Sequence, residues 1–264
     1  MEMTLCIIAV ANALVGWSIG ICGIAGFLLP MLYTAALGYS VELALAASFL
    51  AFLVSGVIGS VNYYRAGNLA VPACLKLSAG SIIGAYGGVI LQGLITQSAA
   101  KTILYLVVLV SGLSIMYRLW QEQHKAQIVD DKAGSESDGE NGIVKNTCFL
   151  VLLGAVTGAI CSLSGAGGPI LVMPLLVMLG ISPRVAVGIA LLNSVFIAVP
   201  ACMGYLARVE LGQVWQLMLL VCVSHGLGVL VGSRMASVVP VNGLKTFVIM
   251  EYFVGNCIFA ISNI

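Results

Sequence analysis

The strongest limit on what this chain can fold into is the length of its apolar runs. Repeatedly it excludes charge for the roughly 20 residues that a helix needs to cross about 30 Å of hydrocarbon. The runs fall at about 3–36, 41–61, 70–94, 98–120, 145–179, 184–204, 212–235 and 241–261, and they lack the two-residue alternation of a membrane barrel. With 61% hydrophobic and 8% charged residues in 264, the chain lies far outside the range of soluble domains. The expectation is an all-α, polytopic integral membrane protein of about eight transmembrane helices. The first run starts near Thr4 with no basic flank and no small-residue cleavage site, which reads as a retained helix rather than a signal peptide.

One long polar stretch, residues 121–144, is acidic, contains Gly and Ser and has no aromatic residue, the composition of an aqueous linker. It separates a first repeat, 1–120, from a second, 145–264. Laid over each other with a shift of 142, the halves pair Gly16, Gly23, Gly26, Met31, Gly38, Ser40, Ala44 and Leu50 with Gly158, Gly165, Gly168, Met173, Gly180, Ser182, Ala186 and Leu192. Tyr63 then meets Tyr205. After a two-residue slip, Gly84 and Gly88 meet Gly228 and Gly232. Four full spans per half would place the termini and the linker together in the cytoplasm by the distribution of Lys and Arg. If the interrupted segments are re-entrant hairpins, the halves are inverted instead. Both arrangements are open at this level.

Two of the eight runs are too long for simple spans, and each is broken by glycine, near 18–26 in "GICGIAGFLLP" and near 162–169 in "SLSGAGGP". Backbone freed from helical pairing in mid-membrane is tolerated only where protein buries it or where it lines a polar cavity. A helix that restarts after such a break presents N–H donors and a positive dipole end, which suit an anion. Gly165, Gly167 and Gly168 clear the approach, Pro169 suits a first helical turn, and Ser162 and Ser164 add hydroxyls. Gly23 and Gly26 are the counterparts in the first half, with Cys22 in place of Ser164 and Phe27 in place of Pro169. Matched breaks predict one central anion site lined from both halves.

Ionisable residues inside apolar runs are Lys76, His225 and Glu251, candidates for substrate attraction or proton coupling. Eight cysteines stand singly, with no CxxC and no zinc spacing. Cys22 and Cys161, near the breaks, support an alternative reading as a transmembrane thiol-disulfide relay. A net charge of +1 leaves no footprint for nucleic acid. No motif calls for a metal, a cofactor or an enzyme's catalytic set. Membrane lipid and a small anion are the expected partners, and small-residue faces in the later helices allow a homodimer.

The second break with its sequel, "SGAGGPILVMPLLVMLGISPRVAVGIAL", and the downstream "GYLARVELGQV" and "GLGVLVGSRMASVVPVNGLK" resemble the TauE/SafE sulfite exporter family, in the toluenesulfonate uptake permease group. The resemblance covers nearly all of the chain except the linker. It implies a transporter of sulfite, a sulfonate or a related sulfur-containing anion, commonly an exporter, in a bacterial-type inner membrane. It further implies a small hydroxyl residue after the "AVG" pattern. That residue is Ser48 in the first half but Ala190 in the second, where Asn193 follows one turn later as a substitute contact.

Overall fold

The computed structural model describes residues 2–23, 25–96 and 146–236, together with Ser98, Ala99, Thr102 and Leu106. Its helices are α1 (Glu2–Cys22), α2 (Leu28–Met31), α3 (Val41–Arg65), α4 (Val71–Gln92), α5 (Thr147–Ser164), α6 (Gly168–Met178), α7 (Pro183–Leu206) and α8 (Leu211–Met235). Among the described residues there is no strand. A 3₁₀ turn, Ala25–Phe27, leads into α2, and a π-helical turn, Leu32–Ala36, follows it. Six helices, α1, α3, α4, α5, α7 and α8, are long and apolar enough to cross a membrane. The spans expected at 98–120 and 241–261 fall almost wholly outside the described residues, as does the linker.

Local chemistry sets the helix starts. Ser40 accepts a hydrogen bond from the Leu43 N–H at 3.3 Å, and Asn146 caps α5 through the N–H groups of Cys148 and Phe149 at 3.1 and 3.3 Å. Pro183 opens α7, where its missing donor costs nothing.

Rows of small residues then fix which helices meet. Gly80, Gly84 and Gly88 of α4 lie against Val151, Ala155 and Ala159 of α5, while Gly154 and Gly158 of α5 lie against Leu77 and Ser81. The numbers rise together, so α4 and α5 run parallel, with backbones closer than any side chain would permit. By the same reasoning α1 runs parallel to α8, with Gly16 on His225 and Gly20 on Val229 and Ser233. In α3 and α7 the order reverses: Gly56 meets Leu191 and Val195, whereas Tyr63 meets Gly188. These two helices are antiparallel and, of the six, the most buried.

The directions have a consequence for the broken segments. Gly168, at the start of α6, touches Ser194 and Ile197 in the middle of α7, and α6 ends four residues before α7 begins. Thus α6 runs against α7 and turns back on α5. Residues 147–178 are therefore not one interrupted span but a hairpin of a long and a short helix. Since α1 and α3 are both parallel to α8, residues 23–40 must likewise return the chain to its starting side.

One end of the bundle holds the end of α3 and the starts of α4, α5 and α7; the other holds the starts of α1, α3 and α8 and the ends of α4 and α7. Residue 2 and residue 146 therefore sit at opposite ends. Of the two arrangements left open by the sequence, this placement is the one expected where the interrupted segments are re-entrant rather than parts of four full spans per half. The first end carries Arg65, Lys76, Arg184 and Arg234; the second carries Glu42, Arg208 and Glu210.

Candidate functional site

The two glycine-bearing breaks meet in the interior of the bundle. Helix α1 stops at Cys22, and Gly23 takes a φ of 80°; α5 stops at Ser164, with Gly165 and Gly167 at φ 74° and 76°. A side chain is strained in that left-handed region, so the tight reversal at 165–167 depends on glycine. Ser164 stabilises the reversal by accepting from the Ala166 N–H at 3.3 Å while its hydroxyl donates to the Ile160 carbonyl at 2.7 Å.

The tips interlock. A Cβ at Gly23 would lie 3.3 Å from Val187 and 3.4 Å from Pro169, and one at Gly165 would meet Leu45 and Pro30. Val187 and Leu45 stand 142 positions apart, as do Gly165 and Gly23. The same spacing recurs at Tyr63 and Tyr205, both buried. The Tyr63 hydroxyl donates to the Ile21 carbonyl at 2.9 Å, beside Gly20, and that of Tyr205 donates to the Ser162 carbonyl at 2.7 Å. Each tyrosine ties down a carbonyl in the last turn before a break, where helical partners run out.

The centre between the tips is filled by Phe52. Its ring lies 2.8 Å from a Cβ position at Gly26 and 3.2 Å from one at Gly167, so it touches both breaks at once. It packs edge-on against Phe49 at 5.6 Å, and Phe49 stacks on Tyr205 at 5.7 Å. The residue facing Gly168 from the other side is Ser194, 3.1 Å from its Cβ position. Phe52 and Ser194 are again 142 positions apart, so one wall of the centre is aromatic and the other a small hydroxyl. Helix α6 opens at this place with no side-chain cap, its positive dipole end toward the breaks.

Of the residues expected at a site, the structure thus brings together Gly23, Gly26, Gly165, Gly167, Gly168 and Pro169, with Ser164 bracing the turn. Asn193 is fully buried beside Ser194; its Oδ1 accepts from the Ser78 hydroxyl at 2.9 Å, and its Nδ2 has no partner among the described residues. Ser48 lies one turn before Phe52 and spends its hydroxyl on the Ala44 carbonyl at 2.7 Å. Lys76 is half-buried within two turns of the start of α4. Glu251 lies outside the described residues. Sequence reasoning missed Phe52 and Ser194, although the repeat alignment pairs the two with each other at the same shift of 142.

His225 is elsewhere, two turns from the break on the α1–α8 contact. Its Nδ1 donates to the Asn12 carbonyl at 3.2 Å, and Asn12 in turn bonds Tyr33 in the returning segment, with its Nδ2 2.8 Å from the phenol oxygen. Nε2 of His225 has no partner among the described residues. Cys22 and Cys161 are both wholly buried, and Cys22 donates to the Ser18 carbonyl at 3.1 Å. A thiol relay needs thiols that a partner can reach, so burial removes its basis.

No solved structure matches the chain. Among curated proteins, the chain is 24% identical over 229 residues to the "Probable membrane transporter protein YdhB" of Bacillus subtilis (strain 168), a match that covers 86% of this chain and 88% of the relative. The family described as Sulfite exporter TauE/SafE matches residues 6–255. That range includes both breaks, both tyrosines and all of the described spans beyond the first turn, and the chain accordingly belongs to the TauE/SafE family of membrane transporters.

Proposed function

We propose that the protein moves a small sulfur-containing oxyanion, sulfite or a sulfonate, out of the cell by alternating access, binding it where the two breaks meet. The observation that carries this reading is the convergence of the breaks on Phe52, with the start of α6 and the small hydroxyl of Ser194 on one side. The positive dipole end of α6 favours a negative ligand, and uncharged walls let it leave again. The family name supports sulfite as the first substrate to try.

The matched geometry of Gly23 and Gly165, and of Tyr63 and Tyr205, supports two copies of one plan, each holding a glycine-rich break. Antiparallel α3 and α7 favour inverted copies, an arrangement that lets one half rock against the other to open either face. Arg65, Lys76, Arg184 and Arg234 at one end favour that end as cytoplasmic in an inner membrane, with residue 2 on the outer face. Export of an anion then runs down a negative-inside potential at ~2.3 kcal/mol per charge per 100 mV, with no coupling ion required.

Uptake of radiolabelled sulfite into proteoliposomes tests the reading, with ethanesulfonate, taurine and chloride as competitors. Saturable flux that sulfur anions compete for, and that Gly167→Leu abolishes, supports the central site. No flux of any sulfur anion through folded, inserted protein overturns it.

A further inference from the structure

We infer that Arg208 latches a gate at the end of the bundle bearing Glu42 and Glu210, and that a column of three rings ties this latch to the centre between the breaks. Arg208 stands just past the last turn of α7. Its guanidinium donates to Gln92 Oε1 at 2.8 Å and to the Val89 carbonyl at 3.0 Å, both in the last turn of α4, and lies 5.7 Å from the centre of the Tyr205 ring. These bonds join a helix of the second half to a helix of the first. Tyr205 stacks on Phe49 at 5.7 Å, Phe49 meets Phe52 edge-on at 5.6 Å, and Phe52 reaches Gly26 and Gly167. All three rings are buried, whereas Arg208 is exposed. The column thus runs from a surface cation to the breaks.

The opposite end follows the same plan without the latch. At a shift of 142, Arg208, Tyr205, Phe52 and Phe49 correspond to Ala66, Tyr63, Ser194 and Leu191. With the two-residue slip seen at the later glycines, Val89 and Gln92 correspond to Ser233 and Ala236. There the end of α3 is tied to α8 by Asn62, whose Nδ2 donates to the Ser233 hydroxyl at 2.6 Å. That is a neutral hydrogen bond, and the bonds of Arg208 are charge-assisted, a class roughly twice as strong. Packed interiors move between discrete arrangements rather than deforming smoothly. An anion that seats at the breaks has to turn the Phe52 ring aside, and the stack carries that movement to Tyr205 and the guanidinium. Arg208 is therefore a positioning residue: it acts on the centre through Tyr205 and Phe49, and its release lets α4 and α7 part.

The inference rests on the transport reading for its purpose, but its test measures thiol labelling and requires no flux. In the full chain, with Cys6, Cys148, Cys222 and Cys257 replaced by serine, Val89→Cys reports on the latched end and Ala236→Cys on the other; both positions are buried. A water-soluble maleimide is applied in nanodiscs, which expose both ends, and rates are taken against the parent without the new cysteine. Arg208→Gln is expected to speed labelling of Val89→Cys about tenfold, the change expected when a hydrogen bond to a charged group is lost, and to leave Ala236→Cys unaffected. Arg208→Lys should restore part of the protection. Gly93→Val should act like Arg208→Gln while keeping the cation, because Gly93 has an ordinary φ of −69° but a Cβ there would lie 3.1 Å from a guanidinium nitrogen. Phe49→Leu, which puts the residue of the other half into the column, should also speed labelling of Val89→Cys although it removes no bond of Arg208. Ethanesulfonate should speed it in the parent and not in Phe49→Leu.

A rate at Val89→Cys indifferent to Arg208, or a rise at both reporters alike, overturns the latch. An unchanged rate in Phe49→Leu overturns the column. No response of the parent to ethanesulfonate, with all variants behaving as expected, overturns the central anion site of the transport reading and leaves the latch standing.

Discussion

Single residues decide how firmly the breaks are held. Tyr63 and Tyr205 make the same bond in the two halves, from a ring at the end of a buried helix to a carbonyl in the last turn before a break. Removing either hydroxyl leaves that carbonyl without this donor, at a cost of about 1 kcal/mol. Tyr63→Phe and Tyr205→Phe are expected to lower the unfolding temperature by similar amounts in detergent, which differential scanning fluorimetry measures. Phe52 acts differently. Truncating a buried aromatic ring costs about 3–5 kcal/mol where the cavity stays empty. Between two glycine breaks and Ser194, however, water filling the space would offset part of that cost. Phe52→Ala is therefore expected to lower thermal stability while admitting larger sulfonates, read as stronger competition by benzenesulfonate in the sulfite assay. Of these residues the sequence marked only the tyrosines, as matched positions, because a phenylalanine in an apolar helix has no signature until its neighbours are known.

At the level of elements, the contacts between helices are set by rows of small residues rather than by amphipathic faces. Lipid gives little reason for one apolar surface to seek another, so close backbone approach must supply the attraction. The α4–α5 contact depends on Gly80, Gly84 and Gly88, and a Cβ at Gly84 would fall on the Ala155 carbonyl. Gly84→Leu is expected to abolish the monodisperse peak in size-exclusion chromatography. Gly87→Leu, at an exposed position with nothing within 4 Å, should leave it intact. The rows were visible as glycines four apart in the sequence. Which row meets which was not, because a small residue is compatible with any close neighbour.

At the scale of the whole molecule, charge among the described residues differs from end to end. Arg65, Lys76, Arg184 and Arg234 share the end where α5 starts, and Glu42 and Glu210 share the other with Arg208. The helix directions put residue 2 and residue 146 at those opposite ends. A green fluorescent protein inserted just before Asn146 is expected to fluoresce, and alkaline phosphatase fused at the amino terminus behind an export signal to be active. The same compartment for both reporters would refute the inverted arrangement.

From the chain's letters alone one can read that it spans a membrane, roughly where the six described spans lie, and where glycines punctuate two of the apolar runs. Those properties follow from apolar length and from the backbone preferences of glycine and proline, which act over a few neighbouring residues. The tertiary structure decided that α5 and α6 form a hairpin, that α3 and α7 run antiparallel, and that Phe52 and Ser194 form unlike walls around Gly26, Gly167 and Gly168. Each of these depends on which faces pack together across more than a hundred residues of chain, and local preference does not encode direction.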